Sequence, residues 1–476
     1  MSSKLPFGSD GYRGIIGSTF TWSEVSRLAM GTCAFLEKQA VPSASPIPIG
    51  YDTRFLAREF ALGVGKVFAE KGFNPLISET PCPSPYISFC VKELSAPIGV
   101  VITASHNPFY YLGFKLKGPE GGSATPAVQK EISKLSEEME PISEDFEVLR
   151  SGESPCKTLN LVDSYSKELR KLVNLEGLPN ETELTVDFMN GACVQVYSAV
   201  LRRLSVDFSS LRTTADPLFG GRKPEPIEAE LGELVAWIEA GEGHGIGAAF
   251  DGDGDRLALV DESGEIVPSH EIFGIILLHL AEDRKLKGRV VKTVSYSSLL
   301  NRLAESFGLE VKEIPVGFKY ATEELMKRET LIAGEESGGI GFGFYLPERD
   351  ALLVLLLILE AMRSRRKRLC SLREELWGRF GRSYFNHEDI ELPGETVREK
   401  LKQALELLKN EPTRLGIDYE EVSYLDGVKF SWKTGFLLLR PSGTEPLLRI
   451  YCDEMSQERM LEVREQARSF VHTFLG

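Results

Sequence analysis

The chain has 476 residues, 42% of them hydrophobic, and a formal net charge of −15. That length can bury enough apolar surface for three or four domains, and the acidic balance repels polyanions, which excludes general nucleic-acid binding yet leaves room for small phosphates in a local basic cleft. No apolar stretch reaches the roughly 18 residues that span a bilayer, and residues 1–7 lack the charged and apolar regions of a secretion signal, so the sequence predicts a soluble, cytoplasmic chain with no membrane partner.

In chain order, the apolar pattern repeats one unit three times: a strand, a turn of small or polar residues, an amphipathic helix and a second strand. In the first unit, residues 46–51 read as a strand, 58–71 as a helix and 74–78 as a strand, before Pro81, Pro83 and Pro85 break the pattern. In the second, a strand at 184–188 precedes a helix over 194–204. In the third, a strand at 289–294 leads to a helix at 298–307 and a strand at 309–313. The longest apolar run, 351–362, carries Glu360 and predicts a buried helix; the basic run of Arg363, Arg365, Arg366, Lys367 and Arg368 after it reads as a solvated helix end or a link.

Beyond that run the pattern changes to a helix at 397–409, short paired strands at 428–432 and 435–439, and a closing helix at 457–474, a smaller α+β unit. A polar linker at 151–155 and a turn at 261–264 complete a division into 1–153, 154–262, 263–370 and 371–476. The seven cysteines are scattered without a Cys-x-x-Cys pair, which suits a reducing compartment.

Four loops carry candidate chemistry. Ser105, in Thr103-Ala104-Ser105-His106-Asn107-Pro108, follows an apolar strand at 98–102 and so falls at a strand's carboxyl end, where open α/β sheets place their sites. Its hydroxyl is a candidate nucleophile with His106 and Lys115 to polarise it, although a serine here also suits a simple turn.

Asp251, Asp253 and Asp255 alternate with glycine between apolar segments at 246–250 and 257–260, so three carboxylates can converge on one hard cation. With Glu262 they also fill positions 1, 3, 5 and 12 of a calcium EF-hand loop, but position 6 is Arg256 and the flanks read as strands. A Mg²⁺ site with Arg256 aimed at a phosphate is the preferred reading, with calcium binding and an acidic turn as alternatives.

Arg440-Pro441-Ser442-Gly443-Thr444, followed by Arg449, offers guanidinium forks, hydroxyls and accessible amides, the parts of a phosphate cradle. The loop at 334–339 pairs Glu335 with Ser337 in a form suited to sugar hydroxyls, and a turn at 8–14 carries Arg13. Together these are what phosphoryl transfer between sugar hydroxyls requires.

The order and wording of these motifs resemble the α-D-phosphohexomutase family of phosphoglucomutases and phosphomannomutases over essentially the whole chain. The resemblance implies an α/β protein of four domains, three mixed α/β and a C-terminal α+β domain, around a central cleft. It implies that Ser105 is a phosphorylated nucleophile and that Asp251, Asp253 and Asp255 hold one Mg²⁺ together with an oxygen of the phosphoserine. Glu335 and Ser337 would read the sugar, Arg440, Ser442, Gly443, Thr444 and Arg449 would grip the non-reacting phosphate, and Lys319 fits a family contact segment. Arg13, His106 and Lys115 are left to orient the phosphoryl group and handle the proton.

The implied reaction interconverts hexose 1- and 6-phosphates through a hexose 1,6-bisphosphate that also serves as activator. Glucose is the first choice and mannose the second, in a monomer or homodimer. Phosphoglucosamine mutase, phosphopentomutase and sugar-bisphosphate synthase are the enzyme alternatives, and a silent sugar-phosphate sensor the non-enzyme one. Leu112, Gly339 and Ala351 depart from the family's usual Asn, His and Gly, which bears on substrate preference and loop conformation.

Overall fold

Strands that helices cover on both faces read as continuous apolar runs, and strands with one wet face alternate. Both kinds occur in the computed structural model, which describes residues 5, 7–8, 11–142, 155–177, 183–241, 245–392, 394–442 and 447–475. Four sheets follow one another along the chain.

The first sheet holds β1 (Tyr12–Ile15), β2 (Pro46–Tyr51), β3 (Asn74–Ser78), β4 (Gly99–Ile102), β5 (Tyr111–Lys117) and β6 (Lys157–Leu159), in the order β1-β5-β4-β2-β3-β6. Helices α1 (Trp22–Lys38), α2 (Ala57–Glu70), α3 (Ser84–Glu93) and α4 (Pro126–Glu137) belong to the same unit. Every residue of β4 is buried, as the apolar run 98–102 requires, and α3 packs so closely on β2 that a Cβ on Gly50 would lie 2.5 Å from Ile87.

The second unit opens with α5 (Val162–Leu172) and β7 (Glu183–Asp187), followed by α6 (Val194–Arg203), β8 (Ser209–Leu211) and α7 (Gly232–Ala240). It closes with β9 (Gly245–Phe250), β10 (Leu257–Val260) and β11 (Ile266–Val267), in the order β11-β10-β9-β7-β8. The expected linker at 151–155 lies almost wholly outside the described residues, and the division expected after residue 153 comes too early, because β6 pairs with β3 and carries the first sheet on to Leu159. The expected division after residue 262 falls inside the β10–β11 hairpin, where Leu259 pairs with Val267, so the second sheet continues to Val267.

In the third unit, α8 (Ser269–Leu278), β12 (Arg289–Thr293), α9 (Leu299–Ser306), β13 (Val311–Ile314), α10 (Phe318–Met326), β14 (Thr330–Gly334) and β15 (Ile340–Phe342) follow in sequence. Their strands are ordered β13-β12-β14-β15. Then α11 (Ala351–Arg365) buries every residue from Ala351 to Met362, as the long apolar run predicts. Arg363 and Arg365 fall in its last turn, where the helix dipole favours cations. The division expected after residue 370 falls inside α12 (Leu369–Phe380), whose Leu376 packs against Gly274 of α8.

The fourth sheet is antiparallel throughout: β16 (Tyr384–Glu391), then α13 (Glu395–Asn410), β17 (Glu421–Ser423), β18 (Val428–Trp432), β19 (Gly435–Pro441), β20 (Leu447–Glu454) and α14 (Gln457–Leu475). Its order is β16-β20-β19-β18-β17. One large apolar cluster runs through the second and third units and takes in α3, whereas the first and fourth units each have a cluster of their own. A small cluster of Val294, Phe436, Leu438 and Tyr451 seats the fourth unit on the third. Among the described residues no helix is long and apolar enough to cross a membrane.

Candidate active site

The chain between β4 and β5 turns sharply at Ser105, whose φ is +53°, a left-handed conformation that is costly for a residue with a Cβ. Two residues just beyond β2 hold it there. Asp52 accepts the Thr103 hydroxyl at 2.6 Å, and Thr103 Oγ1 in turn accepts the Ser105 amide at 2.9 Å. Arg54 donates through Nε to Asp52 at 2.9 Å and spreads its Nη atoms over the carbonyls of Ser105, Asn107, Pro108 and Tyr111, at 2.7, 2.6, 2.6 and 3.1 Å. The far face of its guanidinium rests on the Phe219 ring, 4.8 Å away in the second unit. Neither Asp52 nor Arg54 was foreseen; the signal that could have found them is Asp-x-Arg directly after a buried strand.

The β9–β10 hairpin brings the aspartates to this loop. Asp251, Asp253 and Asp255 are at most 1% exposed, and one carboxylate oxygen from each lies within 4.8 Å of the others. Asp251 Oδ1 accepts the amides of Asp255 and Arg256 at 3.0 and 3.1 Å, while its Oδ2 accepts the Ser105 hydroxyl at 3.0 Å. Gly254, with φ +72°, makes the turn possible, since a Cβ there would lie 2.6 Å from Cys193 Sγ.

From the first unit, Lys115 donates to Asp253 at 2.8 Å and lies 3.5 Å from Asp255, and the Ser84 hydroxyl donates to Asp253 at 2.6 Å. Burial, then Asp255 and Asp253, push the Asp251 carboxyl well above the usual carboxylate range. A cation among the three would reverse that, and a set of hard carboxylate oxygens fits one Mg²⁺.

Around this centre stand further expected residues. His106 Nδ1 lies 3.4 Å from Ser105 Oγ, and burial, then Arg256 and Arg13, hold its imidazole well below its ordinary pKa, which favours the neutral form. Arg13 on β1 donates to the Asn107 side chain. Arg256 Nη1 lies 3.3 Å from Glu225, and its Nε 4.0 Å from Asp255.

Arg349 joins this group to Glu335: its Nη2 pairs with Asp255 at 2.7 Å, its Nη1 donates to Glu335 at 3.1 Å, and its guanidinium lies 5.1 Å over the Phe318 ring. Gly339 is part of that arrangement, because a Cβ there would meet Arg349 Cδ at 2.4 Å. Glu348 accepts the Arg349 amide at 3.0 Å and pairs with buried Lys117, which pins the first unit to the third. Sequence reasoning missed Glu348 and Arg349, whose one trace is the charged run before the apolar stretch at 351.

Arg440 and Arg449 form a second group, directly opposite each other on β19 and β20. Ser442 closes the near side of their loop, its amide donating to Leu447 at 2.9 Å. Gly443 and Thr444 lie outside the described residues. Lys319, near the start of α10, is half-buried with its Nζ 5.1 Å over the Tyr320 ring, and Ser337 is exposed.

Three mixed α/β units and an antiparallel C-terminal unit, with a buried serine against an aspartate triad, define the class of α-D-phosphohexomutases, isomerases that act as intramolecular phosphotransferases. The chain belongs to the phosphoglucomutase/phosphomannomutase family: alpha/beta/alpha domains I, II and III match residues 4–142, 163–264 and 268–380, and the C-terminal domain matches 394–469. A phosphoglucosamine mutase of Shouchella clausii is 30% identical over 99% of both chains, and a phosphoglucomutase/phosphomannomutase of Thermococcus kodakarensis is 27% identical over 96% of both. A solved structure from Thermus thermophilus, provisionally named phosphomannomutase, matches with a TM-score of 0.85 at 32% identity, covering 99% of this chain and 100% of that one.

Proposed function

We propose that the enzyme interconverts hexose 1-phosphate and hexose 6-phosphate by way of a phosphorylated Ser105 and a hexose 1,6-bisphosphate. The observation that carries this reading is the 3.0 Å contact between Ser105 Oγ and Asp251, one of three buried carboxylates gathered within 4.8 Å. Asp251, Asp253, Asp255 and an oxygen of phosphorylated Ser105 would hold one Mg²⁺, which when bound offsets negative charge on the phosphoryl group.

In the forward step the free hydroxyl of the sugar monophosphate attacks the phosphorus, the bond from phosphorus to Ser105 Oγ breaks, and the hydroxyl proton leaves to a base. Neutral His106 is the candidate base, and Lys115, between Asp253 and Asp255, balances charge beside the transferring group. The bisphosphate then turns over, and its other phosphate passes to Ser105. Arg13 and Arg256 orient the phosphoryl group. Arg440, Ser442, Gly443, Thr444 and Arg449 grip the phosphate that does not react, Lys319 contributes to substrate binding, and Glu335 and Ser337 meet sugar hydroxyls.

Glucose and mannose phosphates are the proposed substrates, because contacts confined to the O3 and O4 side of the ring accept both. A second reading, glucosamine phosphate, is favoured by relatives such as the Shouchella clausii enzyme. A coupled assay across glucose, mannose, glucosamine and pentose 1-phosphates decides between them, and phosphopeptide mapping of the purified protein tests the centre itself: phosphate on Ser105 is expected, and its absence from an active preparation would remove the mechanism.

A further inference from the structure

Like charges directly opposite on paired strands repel, yet Arg440 and Arg449 are placed so. Each is held from one side by a carboxylate. Asp426 Oδ2 accepts Arg440 Nε at 2.8 Å, and Asp389 Oδ1 lies 3.4 Å from Arg449 Nε. Asp426 has a second partner: the same Oδ2 accepts the backbone amide of Val316, at 2.9 Å, in the third unit. Val316 opens the segment Val316-Gly317-Phe318-Lys319, so one carboxylate oxygen joins Arg440 of the fourth unit to the segment that carries Lys319.

The local chain is shaped for this. Asp426 precedes Gly427, whose φ is +106° and whose Cβ, were there one, would lie 2.4 Å from the Leu439 carbonyl. Glycine lets the β17–β18 connection lie against β19 beside Arg440, and that close approach brings the carboxylate within reach of both donors. Other contacts fasten the same seam: Lys429 donates to Glu313 at 2.6 Å, and Asp453 accepts the Ser298 amide at 2.7 Å. Loss of Asp426 therefore leaves the fourth unit docked and is felt through Arg440.

We propose that Asp426 is a positioning residue: it orients the Arg440 guanidinium through Nε and ties it to the Val316 amide, which couples seating of the substrate's non-reacting phosphate to docking of the C-terminal unit on the third. The inference rests on the reading of Arg440 as a phosphate grip, and the test separates the two.

Kinetics with glucose 1-phosphate or glucosamine 1-phosphate, whichever is turned over, and competitive inhibition by inorganic phosphate are compared in Asp426→Ala, Asp426→Asn, Arg440→Ala and the double variant Asp426→Ala with Arg440→Ala. Asp426→Ala is expected to raise KM and the phosphate inhibition constant about tenfold, as loss of one charge-assisted contact does, with kcat little changed. Asp426→Asn, which keeps an acceptor for the Val316 amide, gives a smaller rise, and the double variant is no worse than Arg440→Ala alone. Should Asp426→Ala fail to fold, Asp426→Asn and its double variant carry the same comparison.

A raised KM in Arg440→Ala with none in the Asp426 variants, or losses that multiply in the double variant, overturns the positioning role and leaves the phosphate grip standing. An unchanged KM in Arg440→Ala removes the phosphate grip itself.

Discussion

Arg54 donates to the carbonyl of Ser105 at 2.7 Å, from a guanidinium that also pairs with Asp52 and holds three further carbonyls of the same loop. The serine's left-handed backbone is thus fixed from behind by a residue 51 positions earlier in the chain.

Arg54→Lys keeps the charge but cannot fork to four carbonyls and a carboxylate at once. Turnover should fall by roughly a hundredfold, the scale on which displacement of a reacting group by about 1 Å is felt. Arg54→Ala, which strands the buried Asp52, should also lose about 3–5 kcal/mol of stability. Steady-state kinetics and thermal melts of both variants separate the two effects.

Ser105→Ala and Ser105→Gly should both abolish turnover. They should differ in stability. At φ +53° a Cβ is strained and glycine is not, so Ser105→Gly should be more stable than Ser105→Ala by roughly 1 kcal/mol, read from chemical denaturation. Equal stabilities would mean that the loop relaxes in the variants.

On the proposed metal site, Asp253→Asn exchanges a carboxylate for a neutral amide and should weaken Mg²⁺ binding and depress the rate, which chelator treatment of the wild type should reproduce. Calorimetric titration of the metal gives a readout apart from activity. Survival of full activity after exhaustive metal removal would make the aspartates structural.

Asp350 caps α11 by accepting the Leu353 amide and also accepts the Tyr165 hydroxyl at 2.7 Å, and burial pushes its carboxyl up to about 6. A carboxyl whose folded pKa is raised favours the folded state while protonated in it. That contribution is complete below the unfolded value near 4 and is lost as pH rises through about 6. Relative to Asp350→Asn, which like the protonated carboxyl keeps one acceptor oxygen and offers a donor in place of the other, the wild type should therefore lose up to about 3 kcal/mol between pH 4 and pH 7. Denaturation midpoints across that range check it, and a difference that does not vary with pH would contradict the assignment.

What the sequence made legible was local. Residues 46–51, 74–78 and 428–432 match β2, β3 and β18 end to end, because an apolar run bounded by turn residues specifies a strand by itself. The strand expected at 309–313 begins two residues later and ends one later, at Val311–Ile314, where pairing with β12 sets its limits. The divisions near 262 and 370 misled because a turn and a basic run look like linkers, while the pairing of β11 and the packing of Leu376 are tertiary facts.

The same holds in the site. Ser105, His106, Lys115 and the three aspartates stand in readable motifs and come together. Asp52, Arg54, Glu348, Arg349 and Asp426 act on residues far away in the chain, and nothing beside them in the sequence names their partners.

The chain carries four sheets but, among the described residues, three large bodies of apolar packing, since the second and third sheets are immersed in one. Cooperative unfolding follows shared interior and not strand count. The middle pair should melt as a single object, so damage to the hydrophobic interior behind either the aspartates or Glu335 would be felt at both.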